Sequence, residues 1–547
     1  MRGSARHRTV IGGATLAGML AFAPLGAQQV QDRIDHEAIY KIKDEGFSRS
    51  QVMTIASWLT DVYGPRLTNS PGFRKAGDWA VKEMTSWGLA NAKLEPFVTP
   101  TGPFGRGWTN DQFLMQATTP GGTFPVYGMS TAWTKGTDGH VKGQAVHAVL
   151  ETPEDLGRFK GQLRGKFVLT TAMREVVPLW TPIARRYDEQ ELKNMETETD
   201  AAGRGGRGGG RAGGPGRQGG PAGGRGGAQN FAAQRTQFLK DEGALAVITT
   251  ANRNDSGNIL LGGATANRAP NVTDLGLPQI VIAIEHYGRI VRTLEKNQPV
   301  TMEANVVNTF HDDTASFNLV AEIPGTDKAD EIVMLGAHFD SWHGGTGATD
   351  NASGSAVMME AMRILKQSGV KLRRTVRIGL WGGEEQGLLG SRAYVTQHFA
   401  DRATMALKPG HGKMSAYFNM DNGTGAFRGI YLQGNEAVAP IFQEWMKPFH
   451  NLGMTTLTIR DTGSTDHAAF DAVGLPGFQF VQDPVEYSTR SHHTTADTYE
   501  RLQEEDLRKN AVIVASFVYH AANRDGLLPR KPLPRATAGG RGTSQQQ

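Results

Sequence analysis

The run Thr375-Val376-Arg377-Ile378-Gly379-Leu380-Trp381-Gly382-Gly383-Glu384-Glu385 constrains this chain more than any other segment. Val376, Ile378 and Leu380 alternate as in a strand with a buried face, and two glycines then turn the chain. Adjacent carboxylates at the mouth of a sheet repel each other and lose hydration, so each needs a counter-charge or a task. One arrangement satisfies both: one glutamate binds a metal and its neighbour handles a proton. A metal needs further ligands, and the 547 residues include no cysteine. Disulfides, thiolate zinc sites and cysteine nucleophiles are therefore excluded, and any metal takes histidine and carboxylate ligands.

A chain this long exceeds one ordinary core, so two or more domains are expected. Helical patterning at 33–66 and 71–90 and a strand at 94–98 place an N-terminal part of the main domain at 28–118. From 119 to 303 short strands dominate, at 146–150, 166–171, 246–250 and 278–283, and this stretch reads as an inserted β-rich domain. Inside it, 201–227 is Gly/Arg-rich, of low complexity and expected to be disordered. From 304 to 526 strands and helices alternate, the pattern of an α/β sheet. The helix expected at 353–367 buries Val357, Met358, Ala361, Ile364 and Leu365. The tail, 527–547, is Pro/Gly/Gln-rich and expected to be disordered.

The formal net charge of +4 is misleading, because Arg204, Arg207, Arg211, Arg217 and Arg225 all lie in the low-complexity run. Without those five the charge is −1, which gives no electrostatic case for a nucleic-acid partner. Arg2, Arg6, His7 and Arg8 precede an apolar, small-residue stretch at 9–26, and Leu25-Gly26-Ala27 offers a cleavage site before Gln28. Residues 1–27 therefore read as a signal peptide, and the mature chain is expected to be periplasmic or extracellular, without stable membrane insertion.

Open α/β sheets place their sites at the carboxyl ends of strands. One strand ends in His338-Phe339-Asp340, and a glycine-rich loop then leads to Asp350-Asn351 before a helix. The next ends at Glu384-Glu385, another at Asn419-Met420-Asp421, and the last leads into His492-His493-Thr494-Thr495-Ala496-Asp497. Any one of these groups alone reads as solvated surface; together at one edge they read as a site. Three carboxylates, two imidazoles and a spare glutamate exceed the needs of one metal. They suit two zinc ions sharing a bridging carboxylate, with cobalt or manganese as alternatives. Asp340 is placed to hold the other nitrogen of His338. A Ser/His/Asp mechanism is disfavoured, because no G-x-S-x-G elbow is present.

At these residues the chain resembles the co-catalytic di-zinc exopeptidases that include bacterial leucyl aminopeptidases, aminopeptidase Y and carboxypeptidase Q. The resemblance runs through His338-Phe339-Asp340-Ser341, Asp350-Asn351-Ala352-Ser353-Gly354, Glu384-Glu385-Gln386-Gly387, Asp421, Ser464-Thr465-Asp466-His467 and His493-Thr494, with Tyr63-Gly64-Pro65-Arg66-Leu67 near the start. The insertion resembles a protease-associated domain. The implied fold is a mixed, mostly parallel sheet with helices on both faces. The resemblance implies that Asp350 bridges two zinc ions, that His338 and Asp421 complete one position, and that Glu385 and His493 complete the other. It makes Glu384 the general base and acid, taking a proton from the attacking water and returning it to the leaving amine. Many relatives have Asp where Asn351 stands, and some have Tyr where His492 stands. His492 is accordingly assigned to the oxyanion, and Asp466 and His467 to the pocket wall or to support behind it. Tyr487 and Arg490 are candidates for substrate contact.

The implied function is an exported zinc exopeptidase that hydrolyses the N-terminal bond of peptides or dipeptides. Two other readings stay open: a glutaminyl cyclase-like acyltransferase, which works with one zinc, and a non-catalytic binding protein of the same fold. The insertion is expected either to cover the site and restrict substrate length or to mediate a homodimer.

Overall fold

The computed structural model describes residue 3 and residues 33–199, 225–251, 256–263 and 266–537. Apart from Gly3, the expected signal peptide lies outside the described residues, as does most of the Gly/Arg-rich run. Two eight-stranded sheets organise the molecule. The first has the strand order Ala90–Phe97, Ser316–Ile323, Arg374–Trp381, Lys328–His338, Met414–Asn419, Gly477–Gln482, Phe427–Tyr431 and Thr456–Thr458. Its four central strands, from Arg374–Trp381 to Gly477–Gln482, are mutually parallel, and Ala90–Phe97 and Ser316–Ile323 add an antiparallel edge. The fold is mixed α/β, as expected.

Helices cover both faces of this sheet. Val333, Leu335 and Ala337 face the helices Ser353–Gln367 and Glu504–Asn523, whereas Met334 faces Leu389–His398 and His467–Asp471. Burial on both faces explains why these strands read as apolar runs. The helix Ser353–Gln367 is buried from Ser353 to Leu365, so its charged residues need partners. Arg363 donates to Glu360 at 2.7 Å and to Glu45 at 2.6 Å, which neutralises the buried ions.

The second sheet has the order Gly122–Pro125, Gly107–Thr119, Thr301–His311, Val141–His147, Lys166–Leu169, Ala246–Thr249, Gln279–Ile282 and Gly128–Ser130. Gly107–Thr119 and Thr301–His311 pair antiparallel, from Gly107 opposite His311 to Thr118 opposite Thr301. Entry to and exit from the insertion therefore lie side by side. The sheet runs from 107 to 311, beyond the expected 119–303 at both ends, and the helices Pro153–Phe159, Arg225–Asp241 and Ile284–Leu294 accompany it, whereas Glu189–Glu196 packs on the first sheet at Tyr431 and Val481.

Residues 201–224 and 538–547 of the two low-complexity stretches lie outside the described residues. Residues 225–227 open the helix Arg225–Asp241. Residues 527–537 lack periodicity yet pack against the first sheet's body: Leu528 is buried, and Arg530 donates to the carbonyls of His411 and Met414. Lys531 pairs with Asp471 at 2.6 Å. Among the described residues, no helix is long and apolar enough to cross a membrane.

Candidate metal centre

The four parallel strands deliver their loops to one edge, where strand alternation has ended and glycine-rich turns aim polar groups inward. His338 is the last residue of Lys328–His338. Glu384 and Glu385 follow Arg374–Trp381 after Gly383, whose φ of 70° is in the left-handed region. Asp421 lies two residues beyond Met414–Asn419, and Asp350 sits just before the helix Ser353–Gln367. His492 and His493 lie on the loop after Gly477–Gln482, with His493 at a φ of 60°.

Asp350 stands between two imidazoles. Its Oδ1 is 3.1 Å from His338 Nε2, and its Oδ2 is 3.3 Å from His493 Nε2. His338 Nε2 is also 3.3 Å from Asp421 Oδ1, and His493 Nε2 is 2.9 Å from Glu385 Oε2. All five expected ligands thus converge as two imidazole–carboxylate sets joined by one carboxylate. Among the described residues, three overlapping groups could each hold an ion: His338, Glu384 and Asp421; His338, Asp350 and Glu385; and Asp350, His492 and His493. Buried Asp350 Oδ2 and Glu385 Oε1 receive no hydrogen bond from a described residue. Acceptor oxygens left bare in a buried site fit a cation, and the nitrogen and oxygen donors suit zinc.

The supporting shell differs from the expected one. The backbone carbonyl of Asp340, rather than its carboxylate, faces His338 Nδ1 at 3.0 Å. Its carboxylate instead accepts from the backbone N–H groups of Glu384 at 3.1 Å and Glu385 at 3.4 Å, and from the Thr68 hydroxyl at 2.6 Å. It therefore fixes the turn that presents both glutamates. Asn351 donates to the Met420 carbonyl at 2.8 Å and accepts from Gly354 N–H at 2.9 Å, tying the Asp350 loop to the strand end before Asp421.

Asp497 was not among the expected site residues. Its carboxylate accepts from Thr349 N–H at 2.6 Å, Thr349 Oγ1 at 2.8 Å and Asp350 N–H at 3.2 Å. It lies four residues past His493 in the quoted loop motif, the one sequence signal that pointed to it. Arg66, fully buried, donates to the carbonyls of Leu59, Phe339, Thr346 and Gly347 and so stitches the His338–Asp350 loop to the N-terminal segment.

Burial and crowded charge shape the electrostatics. Burial opposes charge on His338, but Asp421, Glu384 and Asp350 outweigh it and hold its pKa well above the usual value. Desolvation pushes Glu384 well above the carboxylate range, with Asp421, Asp466 and Glu385 adding to the rise against His338. Glu385 is pushed up to about 7 by burial, partly offset by His493. Asp350 goes the other way: burial is overcome by the hydrogen bond from His338 and by the charges of His492 and His493.

These groups open onto a cavity of about 450 Å³ lined by Glu384, Glu385, Asp421, Thr462–Thr465, Tyr487 and His492, among others. The His492 ring stacks on His493 with centroids 3.7 Å apart, and its Nε2 is 3.8 Å from Asp350 Oδ2. Tyr487 lines the cavity as expected, but Arg490 is paired to Glu486 at 3.1 Å. Asp466 and His467 do not line it; residues 462–465 do. Both lie fully buried behind that wall, where desolvation lifts Asp466 to about 7 and lowers His467 to about 4. His467 Nε2 is 2.7 Å from the Thr462 carbonyl, so His467 supports the wall from behind.

Known proteins resemble this chain in sequence and in fold. The chain is similar to carboxypeptidase Q of Rattus norvegicus, 29% identical over 254 residues, covering 46% of this chain and 52% of that protein. It is also similar to aminopeptidase YwaD of Bacillus subtilis, 29% identical over 264 residues, covering 47% and 54%. The chain thus spans about half the length of the curated relatives it matches. In fold, it resembles a crystal structure of a peptidase M28 precursor from Shewanella amazonensis SB2B, with a TM-score of 0.62, 24% identity, and coverage of 92% and 99%. A zinc aminopeptidase from Bacillus subtilis matches with a TM-score of 0.53, 19% identity, and coverage of 87% and 95%. Residues 318–518, which carry His338, Asp350, Glu384, Glu385, Asp421 and both loop histidines, match the profile of Peptidase family M28. Through that segment the chain is similar to Peptidase family M28.

Proposed function

We propose that this chain is a zinc-dependent exopeptidase that hydrolyses the N-terminal bond of peptides or dipeptides. The observation that carries the reading is the Asp350 carboxylate, with one oxygen toward His338 and the other toward His493. In this reading His338, Asp350 and Asp421 hold one zinc, and His493, Asp350 and Glu385 hold the second. Zinc bound there supplies Lewis-acid polarisation of the scissile carbonyl and acidifies the attacking water.

The residues of the chain do the rest. Glu384, held by Asp340 at its backbone, takes the proton of the attacking water and passes it to the leaving amine nitrogen as the C–N bond breaks. His492, beside Asp350 and on the cavity wall, donates to the oxyanion. Tyr487 and the 462–465 wall orient the peptide. Asp497 holds the Asp350 backbone, and Asn351 holds the adjacent loop. We also assign the second sheet to a protease-associated insertion and residues 1–27 to an export signal, which makes the mature chain periplasmic or extracellular.

The test is a peptide-library digest by the purified protein, with and without chelator, read by mass spectrometry alongside zinc stoichiometry. Chelator-sensitive release of single N-terminal residues, with two zinc ions per chain, is expected. One zinc per chain with N-terminal glutaminyl cyclisation favours the acyltransferase reading and defeats this one; zinc binding with no turnover favours a binding protein.

A further inference from the structure

The loop that carries His493 does not stand alone. A segment of the second sheet's unit, residues 259–262, lies along it as an antiparallel bridge at Leu260 and Thr494. Leu261 N–H donates to the His493 carbonyl at 2.8 Å, and Thr495 N–H donates to the Ile259 carbonyl at 3.0 Å. Ile259 N–H donates to Thr495 Oγ1 at 3.1 Å. Buried Ile259 and Leu261 cluster with Ala283, Met129 and Val281, which belong to or follow the strands Gly128–Ser130 and Gln279–Ile282. The second sheet therefore holds this segment in place.

The contact with the imidazole itself is closer still. A Cβ placed on Gly262 would be 2.7 Å from His493 Nδ1 and 3.5 Å from its Cγ. Gly262 is outside the left-handed region, so its φ does not itself call for glycine. What excludes a side chain is the histidine ring. Leu261 also seals the loop between His338 and Asp350, because a Cβ on Gly344 would be 2.3 Å from Leu261 Cδ1.

We propose that the insertion is part of the metal centre: residues 259–262 clamp His493, and Gly262 is the positioning residue that lets the clamp close on the imidazole. The inference rests on reading His493 as a ligand. His493 holds a left-handed backbone conformation that costs a non-glycine residue energy, and the Leu261 hydrogen bond to its carbonyl offsets that cost. Docking of the insertion and occupancy of the His493 position are then linked, each favouring the other. The insertion touches the His493 ring directly at Gly262, and among the described residues it meets the His338–Asp350 loop at Gly344 and, through the Ser130 carbonyl, at His343.

The test compares Gly262→Ala with Gly263→Ala, because a Cβ on Gly263 meets nothing within 4 Å. Zinc affinity is read by competition with a chromogenic chelator, and ligand geometry by the absorption spectrum of the cobalt(II)-loaded protein. Gly262→Ala is expected to weaken one of the two zinc sites by about 10–100-fold, the range for lost support of a ligand. Its cobalt spectrum changes, while the melting temperature of the metal-free protein stays near wild type. Gly263→Ala matches wild type throughout. Leu261→Ala, which loosens the same clamp without crowding the ring, should show a smaller loss at the same site. Undiminished affinity and an unchanged spectrum in Gly262→Ala overturn the proposal, whatever its melting temperature. A wild-type chain that binds no zinc, or a His493→Ala variant that keeps both ions, overturns the ligand reading instead.

Discussion

Both sheets have eight strands, yet they do different things. In the first, Met414–Asn419 and Gly477–Gln482 are buried at every position. In the second, Gln279–Ile282 alternates between half-buried and buried residues, and the long strand Gly107–Thr119 has solvent-exposed positions along its middle. The first sheet's central strands are parallel, and their crossover helices bury both faces, so the loops at their carboxyl ends are brought together. The second sheet's long antiparallel ribbon leaves part of one face in water and ends in loops that point wherever the strands stop. A sheet of the first kind assembles donors from separate strands. A sheet of the second kind supplies segments, such as 259–262, that hold those donors in place.

Substitutions in the two regions should therefore fail differently. The largest effect belongs to Glu384→Gln at the first sheet's edge, which should cut turnover by about 10²–10⁴-fold. Zinc content stays unchanged, and a variant with wild-type turnover would remove Glu384 from the mechanism. Ile248→Ala, fully buried in the second sheet, should cost about 2–5 kcal/mol of stability. Below its melting transition, turnover per folded molecule should match wild type; loss of turnover without unfolding breaks the contrast.

Asp497→Ala leaves the Thr349 and Asp350 N–H groups buried without an acceptor. It should weaken zinc binding by about 10–100-fold and cost about 1–3 kcal/mol, read by chelator competition and urea unfolding. The smallest effect lies at the first sheet's far edge. There the hydrogen bond from His398 at 2.7 Å, helped by Lys93, outweighs burial and holds Glu95 at about 2, below its ordinary 4.5. A lowered carboxylate pKa stabilises the fold above pH 4.5, and the gain is lost as pH falls from 4.5 toward 2. Glu95→Gln should cost about 1 kcal/mol at pH 7, with the deficit vanishing near pH 2 and zinc affinity unaffected. A deficit that persists at pH 2 would assign it to packing.

The elements of the first sheet were legible where local patterning is strong. The helix at 353–367 occurs at the expected residues, because it presents a continuous apolar face. The strands Gly107–Thr119 and Phe427–Tyr431 were not legible. Gly107–Thr119 is half solvated and mixes polar with apolar residues, and Phe427–Tyr431 is too short to show a period. Residues 527–537 lacked any periodic signal, because they are held by Leu528 and by basic side chains reaching carbonyls rather than by a repeating face.

The sequence by itself determined the chemistry available: no thiolate, a set of carboxylates and imidazoles at successive strand ends, and a glycine turn that separates two adjacent glutamates. Those are local properties, set by residue type, by strand alternation and by the left-handed turn at Gly383. Only the tertiary structure decided that Asp350 lies between His338 and His493, and that Asp340 turns its carbonyl, not its carboxylate, to His338. It also brought Asp497 beneath Asp350, 147 residues away, and Gly262 against His493. Contacts across such separations leave no period in the chain. They arise when parallel strands and an inserted sheet pack their loops into one crevice, where each group's environment is set by neighbours that are remote in sequence.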